Sequence, residues 1–161
     1  MATDREAVVW TRAGTSPIKM GRLLVTDTQC RFTYDADFLH AGLPGLGVLY
    51  PPEFVGMTTI VWDRASYFDL LPPLQSLIPP QGEANFQRRL VLSYLEQQGL
   101  KPAPGFDSDW EILMVSGHGG IGHLDVFPSD AKATEWYGNK VTPALFRITE
   151  DFGFSLKELL T

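Results

Sequence analysis

The stretch that decides the fold is Val115–Phe127, "VSGHGGIGHLDVF". Gly117, Gly119 and Gly122 satisfy G-x-G-x-x-G, the spacing with which a loop lays backbone amides around a phosphate. The flanking residues decide between a phosphate cradle and a plain turn. A dinucleotide loop follows a strand and opens a helix, whose N-terminal amides receive the pyrophosphate. Here the order is reversed. Upstream, Ser108 and Glu111 make an S-x-x-E capping box, and Trp110, Leu113 and Met114 share one helical face. That predicts a helix ending at about Ser116 against Gly117. Downstream, Leu124 and Val126 alternate with Asp125 ahead of Phe127, predicting a strand that turns Asp125 away from the inward side. The glycines therefore read as a helix stop and a turn.

Other chemistry fails on similar grounds. Asp151, Phe152 and Gly153 spell the metal-binding triplet of protein kinases, but no H-R-D-like catalytic loop precedes them. His118 and His123, with Asp125 as a third group, are the metal candidates. Two imidazoles do not complete a zinc site, which takes three or four protein ligands, so both histidines read as loop or edge residues. No G-x-S-x-G elbow is present, and His40 lies beside no nucleophile. The reading assigns no catalytic residue, no metal and no cofactor. An enzyme built on the Gly117–Asp125 loop stays as an alternative.

Outward from this loop, the N-terminal third is β-like. Ala7–Trp10 and Ile18–Val25 flank the turn formers Gly14 and Pro17, predicting a hairpin. Cys30–Tyr34 alternates Cys30, Phe32 and Tyr34 against Arg31 and Thr33, the period of a half-buried strand. Three strands on short turns make an antiparallel meander. "GVLY" (47–50) and "MTTIVW" (57–62) are further strand candidates. Two Pro-Pro pairs, Pro72-Pro73 and Pro79-Pro80, stiffen an apolar connection. In "EANFQRRLVLSYLEQQG", Phe86, Leu90 and Tyr94, widened by Val91 and Leu95, form a helical stripe that Gly99 ends. Arg88 and Arg89 read as its solvated face.

The chain has 161 residues, 44% hydrophobic, enough for one core and too few for two comfortable ones. A single domain over 1–161 is expected. No stretch approaches the roughly 18 apolar residues of a membrane span, and the first residues lack the layout of a secretion signal. A cytoplasmic location is the expectation. A formal charge of −6 argues against nucleic acid as the main partner, because that affinity rests on clustered Lys and Arg. Cys30, the single cysteine, reads as a strand residue rather than a nucleophile.

In sequence order, "MGRLLV", "CRFTYDADFL", "LGVLYPP", "LQSLIPPQGEANFQRRL" and "FDSDWEILMVSGHGGIGHLDVFP" resemble the N-terminal domain of the HipA-family toxin kinases. The likeness covers about residues 7–128, with 129–161 as a C-terminal helical extension. Gly21 and Leu23 match the first motif, and Phe32 and Tyr34 the second. Leu77, Pro79 and Gly82 approximate the third landmark, and Phe106, Gly117 and Gly122 fall on the closing helix-to-strand passage. Tyr50-Pro51-Pro52 and Pro80-Gln81 depart from the pattern, as does His123, where alanine is common. The resemblance implies an α+β fold, a small antiparallel β-barrel or meander with two to four short helices packed on it. It also implies a role beside an enzyme. A free-standing chain of this kind is similar to the HipS-like antitoxin, a bacterial component that binds and neutralises a HipA- or HipT-like serine/threonine kinase. A HipB-like helix-turn-helix protein completes such modules. A scaffolding fragment of a full-length kinase is the alternative.

A rigid apolar surface suits such a binder, because rigidity lowers the entropy lost on association. The aromatics Tyr50, Phe54, Trp62, Tyr67 and Phe68 concentrate in the proline-rich middle, and Trp and Tyr are common interface anchors. They are the expected partner-binding residues, with Trp62 leading. The competing reading is that they fill the core.

Overall fold

The computed structural model describes residues 4–80, 85–120 and 122–138. Five strands form one antiparallel sheet: β1 (Arg5–Thr11), β2 (Ile18–Val25), β3 (Gln29–Tyr34), β4 (Ile60–Asp63) and β5 (Leu124–Phe127), in the order β4-β3-β2-β1-β5. The first three run as the expected meander, and β4 pairs with β3 after a connection that carries two helical turns. β5 returns along the free side of β1, pairing Val9 with Val126. The sheet is open rather than a closed barrel. Closure would require β4 and β5 to pair, and they lie at opposite edges.

Six helices lie among the described residues, more than the two to four expected. Three are single turns: α1 (Ala36–Leu39), α2 (Pro52–Val55) and α3 (Pro72–Gln75). The longer ones are α4 (Phe86–Gln97), α5 (Phe106–Ser116) and α6 (Asp130–Gly138). Prolines at the first or second helical position start α2 and α3, where a missing N–H costs nothing. "GVLY" forms a turn, not a strand, because Gly47 lies against Pro73 and the segment wraps the Tyr34 hydroxyl. The 129–161 extension is helical over α6; its remainder, 139–161, and the landmark Gly82 lie outside the described residues.

The sheet has two unequal faces. Ala7, Val9, Leu23, Val25, Cys30, Phe32 and Tyr34 point into the main core with Leu90, Val91, Leu95, Ile112 and Leu113 of α4 and α5. On the other face, α6 covers β1 and β5 through Phe127, Ala133 and Trp136, with Val8, Trp10 and Tyr137 packed alongside. The Asp130 carboxylate fastens this helix, accepting from Trp10 Nε1 at 3.1 Å and Lys19 Nζ at 2.7 Å.

Gly21 is where β2 bends. The β1–β2 register slips between Val9 and Trp10, so Met20 is the extra residue. A side chain at Gly21 would fall on the Thr33 carbonyl and the Phe32 ring. α4 ends as expected, with Gly99 at φ +81°. Two local expectations fail. Phe86 is exposed, and α5 starts ahead of the proposed capping box. Ser108 lies inside the helix, its hydroxyl donating back to Ala103 O at 2.7 Å. Phe106 opens α5 instead, with the guanidinium carbons of Arg5 and Arg64 at 4.8 and 4.2 Å from its ring centre.

Arg88 also departs from the expected solvated face. It is buried and bonds Asp109 Oδ1 at 2.7 Å and Pro79 O at 3.0 Å. A buried guanidinium needs its donors satisfied, and the Pro79 carbonyl and Asp109 supply acceptors that a local pattern in α4 cannot reveal.

Candidate functional site

The glycine turn is filled by the chain itself. α5 stops at Ser116, and Gly117 caps it by donating to Leu113 O at 2.8 Å. A Cβ at Gly117 would strike the Leu113 carbonyl. Gly119 and Gly122 take φ of +74° and +99°, which side-chain-bearing residues rarely adopt. The Gly119 amide, the donor a phosphate would use, donates to Asp125 Oδ1 at 2.8 Å. The carbonyls of Gly120 and Gly122 accept from Arg12 Nη2 at 3.0 and 2.9 Å. A side-chain carboxylate thus occupies the place of an anion, and a side-chain guanidinium neutralises it.

Asp125 is the centre of this arrangement and is fully buried, contrary to the expectation that it faces outward. Alternation along β5 does direct it to the second face of the sheet, but α6 covers that face. Its Oδ2 accepts from Arg12 Nε at 2.8 Å and from Tyr137 Oη at 2.5 Å. Burial, with the hydrogen bond to Asp125 next, pushes the Tyr137 phenol far above its ordinary pKa, so it stays a donor.

His118 and His123 do not converge. His118 is buried, its ring stacked on Phe127 at 4.7 Å and edge-on to Trp136 at 5.0 Å. His123 Nδ1 lies 2.8 Å from Thr11 Oγ1, which already accepts from the Ala13 amide at 3.1 Å. Burial, then the Arg12 charge, hold the His123 pKa below its ordinary value, partly offset by Asp125. Among the described residues, no cluster of three His, Cys, Asp or Glu side chains is arranged to hold a metal. Cys30 is buried on β3, and desolvation pushes its thiol up to about 11.

The five aromatics of the middle segment divide. Tyr50 and Trp62 are half-buried and pack against the main core. The Tyr50 carbonyl accepts from Tyr34 Oη at 2.5 Å, and Trp62 Nε1 donates to Phe68 O at 2.8 Å. Phe54 and Tyr67 are 89% and 88% exposed, and Phe68 37%. Tyr67 and Phe68 meet edge to face at 4.7 Å and, with Ile78, Pro79, Pro80 and Asp109, line a cleft of about 310 Å³. The sequence reading overlooked the aliphatic members of this surface. Val48, Leu49, Met57 and Val61 are all exposed, Val61 on β4 itself and the others ahead of it in the chain, as Phe54 is. Large apolar side chains beside proline turns were the signal that could have found them.

No helix among the described residues is long and apolar enough to cross a membrane. Comparisons with protein-family models, with curated proteins and with solved structures returned no match.

Proposed function

We propose that this chain is a protein-binding component of a toxin–antitoxin module, docking on a HipA-like serine/threonine kinase and holding it inactive without catalysis of its own. The observation that carries the reading is the run of exposed apolar side chains from Val48 to Tyr67, displayed on a scaffold of prolines and short turns. Exposed apolar side chains that form one patch mark an interaction surface, whereas single scattered ones are ordinary, and here six fall within the twenty residues from Val48 to Tyr67. The hydrogen bonds at the glycine turn support the non-catalytic part, since Asp125 accepts from Arg12, Tyr137 and the Gly119 amide. Phe54 and Tyr67 replace Trp62 as the leading anchors, because Trp62 is already engaged with the core.

The test mixes the purified chain with a HipA-like kinase lacking its own N-terminal domain and measures complex formation and kinase autophosphorylation. A stable complex with suppressed autophosphorylation is expected. Phe54→Ser with Tyr67→Ser should weaken it by about thirtyfold or more, the scale of losing an interface anchor, with the melting temperature unchanged. Absence of a complex, or wild-type affinity in the double variant, overturns the reading.

A further inference from the structure

At the β5 edge Val126 turns both main-chain groups outward, and the chain caps both. Its N–H donates to Gly117 O at 2.8 Å, and its carbonyl lies 3.3 Å from His118 Nδ1. At the β4 edge, the Arg64 amide donates to Thr28 O at 3.0 Å, which sets the phase of the β3–β4 ladder. Bonded pairs in an antiparallel ladder alternate, so they fall at Trp62–Cys30 and Ile60–Phe32, and Val61 faces away from β3. Among the described residues, none bonds to the Val61 N–H or carbonyl. The Val61 side chain is itself 51% exposed.

Charge narrows what can pair there. From Arg31 to Pro80 the chain carries five carboxylates, Asp35, Asp37, Glu53, Asp63 and Asp69, against the two guanidiniums of Arg31 and Arg64. Arg64 is tied to Asp69. A second copy would bring two such acidic segments together, and Asp63 on a four-residue strand is a device that discourages self-pairing.

We propose that the β4 edge accepts an extended segment of a partner protein as a sixth strand, bonded through the Val61 main chain, and that this segment alternates apolar with basic side chains. The apolar side chains lie beside Val61, and the Lys or Arg side chains answer the excess of carboxylates in this part of the chain. Main-chain pairing supplies affinity, and the alternating side chains supply selection. The location rests on the docking reading given above.

The experiment follows amide exchange of the full chain by NMR, alone and with two synthetic peptides, one alternating lysine with valine and one alternating glutamate with valine. The Val61 amide exchanges fast in the free chain and slows at least tenfold with the lysine peptide, but not with the glutamate peptide. Val61→Pro, which deletes the donor at an edge that tolerates proline, abolishes this binding, and Val61→Thr keeps it. A Val61 amide already slow in the free chain, equal response to both peptides, or protection that tracks self-association in the ultracentrifuge overturns the proposal. Wild-type kinase binding by Val61→Pro sinks edge pairing alone. Val61 protection by the lysine peptide without any kinase complex sinks the docking reading alone.

Discussion

Arg12 Nε donates to Asp125 Oδ2 at 2.8 Å across the β1–β5 pair, and the carboxylate is sealed from solvent while the guanidinium stays partly exposed. One carboxylate thereby collects a strand, a glycine turn and a helix, because the Gly119 amide and the Tyr137 hydroxyl share it. Asp125→Asn keeps the shape but offers a single acceptor to these three donors. The expected loss is about 3 kcal/mol, the low end for breaking a buried charged pair. Urea denaturation measures it, and faster exchange of the Gly119 amide should accompany it.

Protonation of His123 should weaken the fold. Its folded pKa lies below the ordinary 6.5, because burial and Arg12 disfavour the cation. The unfolded chain then takes up the proton first, so this contribution is complete above about pH 6.5 and is lost as pH falls from there through the folded value. Melting temperatures recorded downward from neutral pH should decline, and His123→Gln should decline less steeply. Parallel curves would assign the acid sensitivity elsewhere.

Arg88 and Asp109 make a second buried pair, at 2.7 Å, joining α4 to α5. Removing Arg88 breaks a buried ion pair, so Arg88→Met should cost about 3–5 kcal/mol. Arg88→Met with Asp109→Leu should recover most of that loss, because an apolar pair needs no desolvation of charge. Arg89 is exposed, and Arg89→Met is expected to be near neutral.

Tyr34 sets the position of the docking segment. Its hydroxyl donates to Tyr50 O at 2.5 Å and accepts from the Leu46 amide at 2.8 Å. Tyr34→Phe leaves a buried amide without a partner, at about 1–3 kcal/mol. Loosening should concentrate in residues 43–57, read as faster amide exchange there than in β1 or β2. It should also weaken partner binding, although no side chain of the surface changes.

Much of this structure follows from local pattern. β2 spans Ile18–Val25 as its composition predicts, β3 gains only Gln29, and α5 stops at Ser116 ahead of Gly117, where a Cβ would strike the Leu113 carbonyl. Flanking order also decided that the glycines turn a chain rather than cradle a phosphate. Burial was harder to read. Arg88 sits next to Arg89 in the sequence, and only the packing of α4 on α5 tells the buried guanidinium from the exposed one.

The candidate surface divides the same way. Composition placed five aromatics in one proline-rich segment, but Tyr50 and Trp62 face the core while Phe54 and Tyr67 face solvent. Alternation along a strand tells which residues share a face, not what covers that face. Asp125 lies where its period puts it, and α6 makes that place an interior. The sequence by itself determined β1 to β3, the helix stop and the glycine turn, because these are matters of φ, of caps and of period. Tertiary structure decided the open sheet, the buried Asp125 and the uncovered β4 edge, because burial depends on which elements meet across the chain.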